Sequence, residues 1–243
     1  MIPKIIHCCW LSGEKKPELV RRCQASWRKL APDFEIWEWD RGKIAAELLE
    51  NPRREPPRFY KAALAARKWA FASDWVRFAA VEKFGGVYLD LDVELIRPID
   101  ELLADGRGFF ALETERPFRV DPGFGFAAAA GDSSIAALAR HYETLEFNPA
   151  CPLSQNCATV STALLEPLAA AGKVAPRFLP PPCFNPKGSA TGPLRITEQT
   201  YAIHHFNMGW TNWKQRLVYK TLPNLGINPG PVIRWIRKLV TSS

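Results

Sequence analysis

Residues 70–100 read AFASDWVRFAAVEKFGGVYLDLDVELIRPID. From Ala62 to Phe84 there is neither Gly nor Pro, alanine is abundant, and apolar residues recur at Trp69, Ala72, Val76, Ala79 and Ala80. That pattern predicts one helix across the span. Gly85-Gly86 stops it and turns the chain into VYLDLDVELI, an alternation of acid and apolar positions that reads as a strand ended by Pro98. Helix, double-glycine stop and strand together form the joint of an α/β chain.

Outward from this joint the same alternation continues. Upstream, residues 2–9 (IPKIIHCC) read as a buried first strand, and Pro17 opens a helix that ends before Pro32. Phe34, Ile36, Trp37 and Trp39 read as a second strand, residues 43–50 as a helix, and 51–58 as a loop. Downstream, strands are expected at 108–113, 123–130 and 174–179, and helices at 133–146 and 160–171. Alternating elements of this kind predict an α/β sheet with helices on its faces.

Composition excludes several classes. The chain has 243 residues, 47% hydrophobic and 23% charged, which rules out disorder and collagen-like architectures. Nine Trp and 21 Pro point to indoles at ligand sites and to many fixed turns. Six Cys include the adjacent Cys8 and Cys9 and no CxxC, so they read as buried apolar thiols, and Cys151 with Cys157 is too loose a pair for zinc. No 18-residue apolar stretch occurs and MIPKIIHCCWLSG turns polar too quickly for a signal peptide, so a cytoplasmic location is expected.

Asp90 and Asp92 lie two apart on the expected strand and so on one face. Carboxylates that close repel each other unless a cation intervenes, and a divalent metal with oxygen ligands resolves the conflict and also holds a diphosphate. Asp74 and Arg77 share a face of the preceding helix. His204 and His205, in HHFNMGWTNW, offer a third ligand of another type. The bland readings are an acidic edge strand, a surface ion pair and a structural histidine pair; the three features together favour a metal-diphosphate site.

IPKIIHCCW, SWRKLAPDFEIWEWD, the segment 70–100 and ITEQTYAIHHFNMGW, in that order, resemble the motifs of glycosyltransferase family 32. That family groups bacterial capsular polysaccharide transferases with fungal Och-type mannosyltransferases, and its sugar-binding region is similar to the catalytic domain of the large clostridial glucosylating toxins. The resemblance spans residues 2–210. It implies a GT-A fold with a mixed, mostly parallel sheet, a retaining hexose transfer from a nucleotide-sugar (a UDP-sugar in preference to GDP-mannose), Mn2+ or Mg2+, and a glycan or lipid-linked glycan acceptor in surface polysaccharide synthesis. Nucleic acid is not an implied partner.

By the same resemblance Trp10 stacks on the nucleobase, while Asp74 and Arg77, matching SDxxR, reach the ribose and the sugar or its phosphates. Asp92 binds the metal, and Asp90 bridges metal, ribose or sugar hydroxyl. His205, the second His of the terminal HHxxxSW pattern, completes the metal shell, and Trp210 lies near the diphosphate; the sequence does not separate His204 from His205 as ligand. Two positions depart from the pattern: Gly209 stands where Ser is usual, and Phe206 where Trp is frequent.

Two rivals compete. A haloacid-dehalogenase-type phosphatase would use Asp90 as nucleophile and Asp92 as acid/base partner, but the acidic pair it needs downstream is missing, since Gly131-Asp132 has one acid. A non-catalytic basic module binding glycan or nucleic acid would leave the Asp74, Arg77, Asp90 and Asp92 constellation unexplained. The net charge of +7 does not rescue it. Residues 214–243 hold six Lys and Arg and no acid, so residues 1–213 carry 26 basic against 25 acidic side chains. The expected organisation is a catalytic domain over 1–213 and a basic tail over 214–243. PVIRWIRKLV in that tail reads as an amphipathic helix docked on the domain or in peripheral contact with an anionic membrane.

Overall fold

The computed structural model describes residues 1–49, 55–149 and 152–207. The tail over 214–243 and Trp210 lie outside the described residues. The elements run β1 (Ile5–Cys9), α1 (Glu18–Leu30), β2 (Glu35–Trp39), α2 (Arg41–Glu47), α3 (Arg58–Ala65), α4 (Trp69–Phe84), β3 (Gly86–Tyr88), β4 (Val93–Leu95), β5 (Phe109–Thr114), β6 (Arg119–Val120), β7 (Phe126–Ala128), α5 (Ser133–Thr144), α6 (Cys157–Ala170), β8 (Arg177–Leu179) and β9 (Ala202–His204). Seven strands form a mixed sheet in the order β2-β1-β3-β7-β5-β6, with β8 also paired to β5. β1 runs parallel to β2 and β3, and β5 to β8, while β7 is antiparallel to its neighbours. β4 and β9 make a separate antiparallel ribbon. No helix among the described residues is long and apolar enough to cross a membrane.

The central strands β1, β3 and β7 are buried, with core on both faces of the sheet. On β3, Val87 joins the core under α1 with Trp27, Phe34 and Phe184, whereas Tyr88 joins the core under α4 with Trp75, Phe78 and Tyr142. Fully burying one such large side chain contributes roughly 1.5–3 kcal/mol. α1 also fixes the chain that follows the acidic motif. Trp27 Nε1 donates to the Val93 carbonyl at 2.8 Å, and Ser26 Oγ accepts from Leu95 N at 2.9 Å.

The structure corrects two expectations. The single helix over 62–84 is two helices, α3 and α4, divided at Arg67 with φ +53°. Lys68 N donates to the Ala63 carbonyl and Arg67 N to that of Leu64, so a Schellman-type end forms with arginine in the left-handed position that glycine usually takes. That conformation costs an L residue roughly 1–2 kcal/mol, so no Gly or Pro announces the break. The expected strand VYLDLDVELI is likewise interrupted: β3 ends at Tyr88, and Val93 N donates to the Asp90 carbonyl at 3.0 Å, closing a turn over 90–93 before β4. Asp90 and Asp92 therefore sit on a turn, not on one face of a strand.

The double glycine is needed for space as well as conformation. Gly85 has φ +65°, and a Cβ there would lie 2.7 Å from Ala130 N and 2.8 Å from Pro3 Cδ. It lets the end of α4 pass directly into the sheet beside β1.

Candidate active site

A cavity of about 1190 Å³ opens at the carboxyl ends of β1 and β3, large enough for a nucleotide-sized ligand. Asp74 and Arg77 enter it from the buried middle of α4, three residues apart and 2.9 Å from each other. Arg77 Nη2 also donates to Ser73 Oγ at 3.1 Å, and the guanidinium lies 4.7 Å over the Tyr88 ring. Its Nη1 is 3.3 Å from Asp90 Oδ1, a charge contact without hydrogen-bond geometry, and is left with no hydrogen-bond partner. Tyr88 Oη donates to the same Asp90 oxygen at 3.0 Å.

The other side of Asp74 is held by α6, whose Cys157 N–H donates to Asp74 Oδ2 at 3.1 Å. Burial pushes the Asp74 carboxyl up to about 7 against the opposing pull of Arg77. Burial likewise raises Asp90, again opposed by Arg77. One guanidinium thus serves a buried carboxyl, Asp74, and a half-buried one, Asp90.

Asp92 is treated differently. Burial alone would raise it, but His204, through charge and hydrogen bonding, and the Asn207 N–H at 2.7 Å bring it down to about 2. His204 Nε2 lies 3.2 Å from Asp92 Oδ1. Its Nδ1 is buried without a partner, and Phe124 and Phe206 pack on the ring. Burial lowers the His204 pKa, and Asp92 more than restores it, so the imidazole ends above its ordinary range.

Asp90, Asp92 and His204 offer ligand atoms within 4.8 Å of one another, the one such three-residue group among the described residues. Two carboxylates and one imidazole suit a first-row divalent ion such as Mn2+, with carboxylate oxygen as the hard component.

The structure separates the two histidines. His205, expected in the metal shell, turns its Nε2 to Glu94 Oε2 at 2.7 Å and to Arg22 Nη2 at 3.3 Å. The reason is the β4–β9 ribbon: successive side chains on β9 and beyond point to opposite sides, and only His204 reaches the turn that carries Asp92. His205 contributes its backbone, donating to the Asp92 carbonyl at 2.9 Å. Trp10 lines the cavity at the end of β1, its Nε1 donating to the Glu14 carbonyl at 2.8 Å.

Residues not singled out from the sequence complete the wall: Glu113 and Arg119 as an ion pair on β5 and β6, Asp121 and Gly123 on the turn before β7, and Asn156 capping α6. Burial and the nearby Glu113 push the Asp121 carboxyl up to about 6. The only local signal for them was the turn composition of DPGFG at 121–125.

Residues 17–108 match the family model described as a glycosyltransferase sugar-binding region containing a DXD motif. That span includes Asp74, Arg77, Asp90 and Asp92 and stops short of Asp121 and His204. An uncharacterized glycosyltransferase of Acanthamoeba polyphaga mimivirus is 33% identical over 112 residues, 45% of this chain and 42% of that protein. Inositol phosphoceramide mannosyltransferase 1 of Schizosaccharomyces pombe is 31% identical over 119 residues, 48% of this chain and 35% of that protein. The chain thus matches less than half the length of either relative. The solved PaToxG glycosyltransferase superposes with a TM-score of 0.51 at 15% identity, covering 71% of this chain and 73% of that one, a likeness of fold. Residues 17–108 are therefore similar to a DXD-containing glycosyltransferase sugar-binding region, and the chain that carries them has the GT-A fold.

Proposed function

We propose that the protein transfers a hexose, with retention, from a nucleotide-sugar to a glycan or lipid-linked glycan, in a reaction that depends on Mn2+ or Mg2+. The observation that carries this reading is the convergence of Asp90, Asp92 and His204 beside the buried Asp74–Arg77 pair in one cavity. UDP-sugars and GDP-mannose are both donor candidates, the latter favoured by the mannosyltransferase relatives. A bound divalent ion would supply Lewis-acid neutralisation of the charge that grows on the leaving diphosphate.

The chain's own residues hold and orient. Asp90, Asp92 and His204 would hold the ion. Trp10 would offer its ring face to the nucleobase. Arg77 Nη1, buried and without a hydrogen-bond partner, is a preorganised donor for donor-sugar or phosphate oxygen, since its partners Asp74 and Asp90 already fix its orientation. The acceptor hydroxyl would attack from the face the diphosphate leaves, its proton passing to a phosphate oxygen. The basic tail 214–243 would bring the protein to the cytoplasmic face of an anionic membrane, where a lipid-linked acceptor in surface polysaccharide synthesis is found.

The test is a thermal-shift panel of UDP-glucose, UDP-galactose and GDP-mannose, each with and without Mn2+. A ligand of the native state stabilises by about 2.7 kcal/mol at one hundred times its Kd. The expected result is a shift with one nucleotide class that requires the metal; no shift with any donor would reject the reading.

A further inference from the structure

Gly123 is buried, and its φ is not one that requires glycine. What excludes a side chain is space. A Cβ at Gly123 would lie 2.7 Å from Asp90 Oδ2, 3.0 Å from Asp121 Oδ1 and 3.7 Å from Arg77 Nη1. The bare Cα therefore lets two carboxylates close on the chain here, beside a guanidinium nitrogen that is itself buried and without a hydrogen-bond partner.

Asp121 is arranged toward the same space. Its Oδ1 accepts from Gly123 N at 2.9 Å and from the Cys157 thiol at 3.8 Å, while among the described residues no donor sits on Oδ2. Among the described residues no Lys or Arg forms an ion pair with it either. An acceptor oxygen, a second carboxylate and a free N–H on one wall of the cavity match neighbouring hydroxyls, each of which donates one hydrogen bond and accepts others.

We propose that Asp121 and Arg77 form the part of the cavity that reads the hydroxyls of the donor sugar: Asp121 Oδ2 accepts from one hydroxyl and Arg77 Nη1 donates to its neighbour, while Gly123, by lacking a side chain, lets the Asp121 and Asp90 carboxylates sit beside that guanidinium. This rests on the glycosyltransferase reading and deepens it to the residues that select the hexose. It differs from a purely structural role, in which Asp121 only caps its own turn through Oδ1.

Asp121→Asn separates the two roles, because the amide oxygen still accepts from Gly123 N while the charge is lost. For this variant and the wild type, the measurements with Mn2+ are the Kd of UDP and GDP and kcat/KM for hydrolysis of UDP-glucose, UDP-galactose and GDP-mannose. The expected result is nucleotide affinity within twofold of wild type and kcat/KM for the preferred donor lower by roughly tenfold or more, the effect of losing a hydrogen bond to a charged group. Discrimination between the glucose and galactose donors should fall with it. Unchanged kcat/KM, a parallel loss of nucleotide affinity, or a hexose found covalently attached to Asp121 would overturn the inference while leaving the glycosyltransferase reading in place. A wild type inert toward all three donors would reject that reading, and the inference with it.

Discussion

His204 Nε2 lies 3.2 Å from Asp92 Oδ1, whereas the adjacent His205 turns to Glu94 at 2.7 Å. Two histidines side by side in sequence thus have different partners, and only one of them faces the cavity. His204→Ala should weaken Mn2+ binding by at least the roughly 10–100-fold that losing even an outer partner of a metal ligand costs. His205→Ala should leave it nearly unchanged. Calorimetric Mn2+ titration of both variants checks this, and the opposite order would restore His205 as the ligand.

Arg77 is 2% exposed and serves both Asp74 and Asp90. Its removal leaves the buried Asp74 and the half-buried Asp90 without their cation, and breaking the buried Asp74 pair costs about 3–5 kcal/mol. Arg77→Ala should show that loss in urea unfolding. Arg77→Lys should recover part of it, because the charge remains but the planar fork does not. A loss below about 1 kcal/mol would mean that the network is not structural; surface ion pairs contribute in that range.

His7 makes a pH prediction away from the cavity. Its ring is buried between the Gly85 carbonyl at 2.8 Å and Trp39 Nε1 at 3.0 Å, and burial lowers its pKa from 6.5 to about 4. Between those values the unfolded chain binds a proton that the folded chain does not. Its contribution to stability is therefore complete above pH 6.5 and is lost as pH falls toward 4, up to about 3 kcal/mol. His7→Gln should flatten the slope of unfolding free energy against pH in that window. An identical slope in wild type and variant would contradict the assignment.

The local joints of the fold were readable because each carried its own chemistry. Pro17 before α1, the apolar run of β1 and the Gly85-Gly86 stop are decided by residues within a few positions of themselves. Arg67 is the contrast: a left-handed arginine leaves no mark in the sequence, because tertiary packing, not propensity, sustains it. The turn at Asp90–Val93 was hidden for a similar reason, since alternating acids and aliphatics look like a strand whether or not the chain pairs. Asp74, Arg77, Asp90 and Asp92 were found because they lie close together in sequence. Asp121 and Gly123 were not, because only the antiparallel placement of β7 beside β3 carries them to Asp90.

The tail over 214–243 is expected to act through charge. Deleting residues 229–243 should reduce sedimentation with vesicles containing phosphatidylserine, and 0.5 M salt should do the same to the intact chain, because surface attraction is screened within about a Debye length. Equal binding of intact and truncated protein would remove the tail from the account.

The central claim is that Asp92 serves a metal-dependent transfer, and the most direct measurement is nucleoside diphosphate release from the nucleotide-sugar that stabilises the wild type, with Mn2+ and with EDTA. The expected result is release by wild type with Mn2+ only, and none by an Asp92→Asn variant whose thermal unfolding is otherwise cooperative. Release that persists in EDTA, or at the wild-type rate in Asp92→Asn, would contradict it.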